Sequence, residues 1–259
     1  MTNEKSRGRS IDNPEMPLVE HLLELRNRLL RIVLAIVICF AVAYPFANKL
    51  YLWLSQPLRD LLPKGQMMIA TDVTSPFFAP LKLALVVAVF AAIPYILYQI
   101  WSFIAPGLYK HEKRLAFPLL ATSVALFYLG AAFAYYVVFP LIFAFFTAIG
   151  PEGIVQLPDI GSYLTFVLKI FFAFGVAFEI PIATILMILS GVTTPSDLAA
   201  KRPYVVVGCF IVGMLMTPPD IISQTLLAVP MWILFELGIL FGRLAQRRIE
   251  SESQDPPEE

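Results

Sequence analysis

The sequence predicts an all-α polytopic membrane protein: six transmembrane helices, kinked into a concave bundle, with both termini in the cytoplasm. Three observations carry that prediction. Of 259 residues, 58% are hydrophobic and only 15% are charged, against about 25% charged in an ordinary soluble domain. The apolar residues gather into long runs, most of them near or above the roughly 20 residues a helix needs to cross a bilayer. Lysine and arginine collect in alternate connections between those runs.

Taken in order, the runs are Leu29–Ala47, Pro76–Ile104, Leu115–Phe139, Tyr163–Leu189, Pro203–Thr217 and Ile222–Phe241. The first has no small-residue cleavage site behind it, so it is expected to stay as a helix and not to be removed as a leader. The fifth, only fifteen residues, reaches about 22 Å, short of a hydrocarbon core of about 30 Å. It is counted because polar residues 193–202 precede it and the turn Thr217-Pro218-Pro219-Asp220 follows. A helix pair this short is expected to thin the bilayer around it.

Orientation follows from the basic residues. With the N-terminus inside, fourteen of the nineteen lysines and arginines face the cytoplasm, including Arg26, Arg28, Lys110, Lys113, Arg202 and Arg247. Lys49, Arg59, Lys64, Lys82 and Lys169 are left for the other side. The chain then divides into a flexible cytoplasmic N-terminus (1–16), a transmembrane domain opening with an amphipathic helix (17–242) and an acidic cytoplasmic tail (243–259) expected to be disordered. Prolines 94, 118, 181 and 230 fall inside the apolar runs. Each removes a backbone hydrogen bond, and such kinks favour a curved bundle. The first three runs do not resemble the last three, so an inverted-repeat transporter finds no support.

Basic and acidic residues balance at nineteen each, which offers nothing to nucleic acid. Cys39 and Cys209 lie in apolar runs without metal-ligand spacing and read as small buried hydrophobes. A phosphate-cradling glycine loop, a Gly-x-Ser-x-Gly elbow and a His/Cys cluster are all missing, so neither a cofactor nor an enzymatic activity is expected.

Charged residues at the edges and inside the runs remain to be explained. Leu18, Leu22, Leu25 and Leu29 make an apolar helical stripe, with Glu24 and Arg28 paired at i, i+4 on another face. Two readings stay open: an interfacial helix with ordinary ion pairs, or a docking surface that displays a carboxylate. Glu112 begins the third run, where it either complements the helix dipole or stands exposed for a cationic ligand. Glu179 lies mid-run, where an acid costs about 2.5–3.5 kcal/mol, and so marks function unless it is locally hydrogen-bonded. Thr217 and Gln224 fit helix packing equally well, and Asp220 fits a cap on the last helix.

Several segments, quoted in order, resemble one family. They are His21-Leu22-Leu23-Glu24-Leu25-Arg26-Asn27-Arg28-Leu29, Met68-Ile69-Ala70-Thr71-Asp72-Val73-Thr74-Ser75-Pro76, and Phe103-Ile104-Ala105-Pro106-Gly107-Leu108-Tyr109-Lys110-His111-Glu112. Ala173-Phe174-Gly175-Val176-Ala177-Phe178-Glu179-Ile180-Pro181, Lys201-Arg202-Pro203-Tyr204 and Thr217-Pro218-Pro219-Asp220 complete the set. Residues 18–242 are thus similar to TatC, the multispanning core of the twin-arginine protein translocase of the bacterial cytoplasmic (inner) membrane. The resemblance implies binding of twin-arginine signal peptides of folded precursors, and export powered by the proton-motive force. It also implies assembly with the single-span partners TatA and TatB, and homo-oligomerisation within a larger complex. By the same resemblance Glu24 and Glu112, adjoined by Arg26 and Phe103, form the signal site. Met214, Thr217, Gln224 and Glu179 would meet partner helices, while Pro57 and Asp220 would shape the periplasmic side. A carboxylate suits a signal arginine because it accepts two parallel hydrogen bonds that lysine cannot supply. The competing readings are a proton-coupled small-solute transporter built on Glu179 and an intramembrane hydrolase, which lacks any nucleophile–base pair.

Overall fold

The computed structural model describes residues 16–59, 68–104, 113–149, 157–217 and 220–252, and among them every element is helical apart from one isolated parallel bridge between Ile69 and Asp159. The helices are α1 (Met16–Ala43), α2 (Ala47–Leu54), α3 (Gln56–Arg59), α4 (Ser75–Ile104), α5 (Lys113–Phe133) and α6 (Phe139–Ile149). They continue with α7 (Ile160–Ala177), α8 (Ile180–Leu189), α9 (Pro195–Ala200), α10 (Arg202–Met216) and α11 (Ile221–Glu252). Among the described residues, five stretches are long and apolar enough to cross a membrane: Leu22–Leu54, Ser75–Phe103, Phe117–Phe146, Ile160–Leu189 and Ile221–Arg247. The sixth, α10, is apolar but shorter, as its sequence requires.

Three boundaries differ from expectation. The leucine-striped segment before the first run is not a separate interfacial helix. α1 runs unbroken from Met16 through the apolar run, and a 3₁₀ turn at Tyr44–Phe46 joins it to α2. Nothing between residues 17 and 31 breaks a helix, so the amphipathic and apolar halves propagate as one. The third run is prolonged through a π-helical turn, Ala134–Val138, into α6. The last helix passes the expected domain end at 242 and continues to Glu252, while residues 253–259 lie outside the described residues.

Burial ranks the helices. None of the described side chains of α1 is buried, and this helix packs chiefly against α4. α7 lies at the centre: Leu164, Val167, Ile170 and Phe174 are fully enclosed among α4, α5, the π turn and α10. Their spacings of three and four place them on one face, the one that meets the neighbours. α11 closes the other flank against α8 and α10.

The prolines are accommodated individually. Pro94 lacks the N–H that would bond the Phe90 carbonyl one turn earlier, and the Tyr128 hydroxyl of α5 donates to that carbonyl instead at 2.9 Å. Pro181 opens α8, where a missing N–H costs nothing, so the fourth run breaks at Phe178–Glu179 into α7 and α8.

Candidate functional site

At the end of the bundle where α1 begins and α4 finishes, Arg28 is the organising residue. Its guanidinium donates to Glu24 Oε1 twice, from Nε at 3.1 Å and Nη2 at 2.5 Å. It also crosses to α4, donating to the carbonyls of Gln99 and Ser102, each at 3.1 Å. Those carbonyls belong to the last two turns of α4, where the helix dipole favours a cation. The Arg28 carbon Cζ stands 5.9 Å from the centroid of the Phe103 ring, within cation–π range. The Arg28 side chain is only 16% exposed, but that of Glu24 is 46% exposed. Arg28 is therefore a structural clasp, while Glu24 keeps an open flank beside a cavity of about 450 Å³ lined by Leu23, Asn27, Arg31, Tyr98 and Ser102.

The structure thus brings Glu24 and Phe103 together through Arg28. Arg26 does not join them: it is exposed and donates to its neighbour Asn27 Oδ1 at 3.3 Å. Glu112 lies outside the described residues. The Glu24–Arg28 pair was legible in the i, i+4 spacing, but the grip of Arg28 on α4 was not. Its partners are 71 and 74 residues away, and backbone carbonyls carry no sequence signal.

Glu179 stands at the break between α7 and α8, half-buried. Ser123 of α5 donates its hydroxyl to Glu179 Oε2, while Oε1 is buried with no hydrogen-bond partner among the described residues. The acid is held locally on one oxygen and left open on the other.

The residues matched to partner contact divide. Met214 is exposed, whereas Thr217 is buried and turns its hydroxyl back to the Gly213 carbonyl at 2.9 Å. Gln224 donates to the Phe210 carbonyl at 2.8 Å and lies directly over Gly213, so Gln224 serves the α10–α11 contact while Thr217 closes the last turn of α10. Asp220 caps α11, accepting from the Ser223 N–H at 2.7 Å, with Oδ2 buried and unpartnered among the described residues. Pro57 falls within the short α3.

At the opposite end, sequence reasoning missed a second clasp. Asp159 Oδ1 accepts from the Thr71 N–H at 3.0 Å and its hydroxyl at 2.8 Å, while Oδ2 accepts from the Ser162 N–H at 2.8 Å. These donors, the Thr71 N–H foremost, hold the Asp159 carboxyl well below the usual carboxylate range. A depressed folded-state pKa means that the stabilisation is complete above the ordinary value of about 4 and fades as pH falls through the depressed one. Asp159→Ala is expected to cost about 0.5–2 kcal/mol at pH 7, the usual loss for a helix cap. In thermal unfolding the gap from wild type should narrow only below about pH 4. A gap constant down to pH 3 would refute the ionised clasp.

The family model for the Sec-independent protein translocase protein TatC matches residues 20–230. The chain is 56% identical over 250 residues to the Sec-independent protein translocase protein TatC of Azotobacter chroococcum mcd 1, covering 96% of this chain and 98% of that one. It is 56% identical over 227 residues to the Escherichia coli (strain K12) protein of the same name, covering 88% of each. Its fold matches a crystal structure of the twin arginine translocase receptor TatC with a TM-score of 0.79 at 40% identity, covering 87% of this chain and 99% of that chain.

Proposed function

Because the chain belongs to the TatC family of Sec-independent protein translocase proteins, we propose that it serves as the receptor subunit of a twin-arginine translocase, with Glu24 and Glu112 reading the two arginines of the signal. The observation that carries this reading is the half-exposed Glu24 carboxylate, held in place by Arg28 and open toward a cavity. A carboxylate fixed from behind accepts the planar fork of a second guanidinium on its free side, and an ammonium cannot match that geometry. Phe103 adds an aromatic face beside it. The end of the bundle bearing Glu24 is then cytoplasmic, both termini share that side, and the membrane is the bacterial inner membrane. Single-span partners of the TatA and TatB kind would dock along α10 near the exposed Met214 and beside Glu179, in a larger complex containing further copies of this chain. The proton-motive force would drive transport.

The test is a photoreactive residue at Lys113, beside Glu112, in inside-out membrane vesicles. A precursor bearing Arg-Arg should form an adduct, and one bearing Lys-Lys should not. Equal adducts, or adducts only when the precursor is offered to the opposite face, would defeat the receptor reading. A separate outcome is expected for Glu179→Leu: Arg-Arg cross-linking at Lys113 unchanged, but export several-fold slower and cross-links to the single-span partners altered. Wild-type export and cross-links would reduce Glu179 to a packing residue.

A further inference from the structure

A cavity of about 770 Å³ opens at the end of the bundle remote from Glu24, between the starts of α4 and α7 and the finish of α10. Two ammonium groups line it, Lys82 of α4 and Lys169 of α7. Lys82 Nζ donates to the Thr165 hydroxyl at 3.1 Å, and among the described residues neither lysine has a carboxylate within ion-pair distance. The two carboxylates at the cavity stay ionised but turn to neutral donors and not to the lysines: Asp159 to Thr71 and Ser162, and Asp72 to the hydroxyl of Thr74 at 2.6 Å. The pocket therefore presents two ammonium groups outside any ion pair among the described residues, beside the Ser75 and Ser162 hydroxyls.

Their depth matters. Lys82 lies seven residues into α4 and Lys169 nine residues into α7, which places them about 10 and 13 Å along their helices. The 29-residue span of α4 is about 44 Å long and overshoots a core of about 30 Å by about 7 Å at each end. Both lysines are thus rooted inside the hydrocarbon boundary, where an unpaired cation is costly. α10, only 15 residues long, ends at this cavity with Leu215 and Met216 in its wall, so lipid headgroups must descend to meet it. Phe78, Leu164 and Phe166 give the same wall an apolar side.

We propose that this cavity binds the phosphate of an anionic phospholipid, with Lys82 and Lys169 as its counter-charges and the apolar wall receiving the upper acyl chain. Among anions, a lipid phosphate is already present at the membrane surface and carries a tail that suits the wall. The site is independent of signal recognition at the other end.

The experiment uses the purified full chain in detergent micelles with photoactivatable phosphatidylglycerol. Adducts are expected in the peptides spanning 71–82 and 160–169, competed by phosphatidylglycerol but not by phosphatidylcholine or by excess inorganic phosphate. Lys82→Gln or Lys169→Gln should each weaken lipid retention about fivefold, and the pair about 25-fold, following the usual contribution of a basic residue near anionic lipid. The double arginine variant should retain binding, and Lys49→Gln, on an exposed face of α2, should be neutral. Several results would overturn the proposal: no wild-type adduct at these peptides, equal competition by phosphatidylcholine, displacement by inorganic phosphate, or full retention by the double glutamine variant. The adduct test on wild type needs no variant to fold.

Discussion

Glu24→Gln is expected to weaken binding of an Arg-Arg signal peptide by about 10- to 100-fold, the loss of one charge-assisted hydrogen-bonded contact on a partly exposed surface. The substitution keeps the shape of the side chain and leaves Arg28 its bonds to the Gln99 and Ser102 carbonyls, so α1 should remain docked on α4. Fluorescence anisotropy with a labelled signal peptide measures the effect, and a Lys-Lys peptide sets the floor. Wild-type affinity that already approaches that floor, or a glutamine variant that binds within twofold of wild type, would remove Glu24 from the site. Arg28→Gln separates the roles further. It should lower stability, because two carbonyls near the end of α4 lose a donor.

Gly130→Ala carries the largest expected effect on stability. A methyl group there would sit 2.5 Å from the Phe174 carbonyl oxygen and 2.9 Å from the Phe178 ring, and the backbone of α7 cannot move aside without disturbing the central helix. Overpacking of this kind costs about 1–3 kcal/mol, seen as a thermal midpoint lower by several degrees in detergent. The contrast is Gly208→Ala, where nothing lies within 4 Å of the new methyl. There the gain in helix propensity, up to about 1 kcal/mol, should leave the protein equal or more stable. If both substitutions behave alike, the close approach of α5 to α7 at Gly130 is not the tight contact described. The reciprocal case, Gly175 against the Phe127 ring, shows the same use of a small residue to bring two membrane helices together.

What the sequence made legible is what depends on neighbours along the chain. Long apolar runs placed the spans, the short run at 203–217 was short in the structure as well, and Glu24 met Arg28 one turn away. Asp220, read as a cap, bonds the Ser223 N–H. The features that escaped depend on packing between distant segments. Tyr128 donates its hydroxyl to the carbonyl that Pro94 leaves unpaired, Thr71 reaches Asp159 across 88 residues, and Ser123 meets Glu179 across 56. A serine or threonine inside a helix reads as neutral filler until the opposing helix is known. The continuity of α1 was missed for a different reason: a change from amphipathic to uniformly apolar pattern looks like a boundary, but the backbone has no reason to break there.

The shortness of α10 has an electrical meaning. Arg202, at its start, grips Glu236 of α11 through Nε at 2.6 Å and Nη2 at 2.7 Å, which anchors a charged fork at one end of the hairpin. Asp220 marks the polar level at the other end. The fifteen residues of α10 therefore separate two hydrated levels by about 22 Å where the surrounding insulator is about 30 Å thick. A voltage dropped across the shorter path produces a field about 1.4 times stronger. Any charge or dipole carried beside this hairpin would feel the membrane potential over a steeper gradient than beside the longer helices.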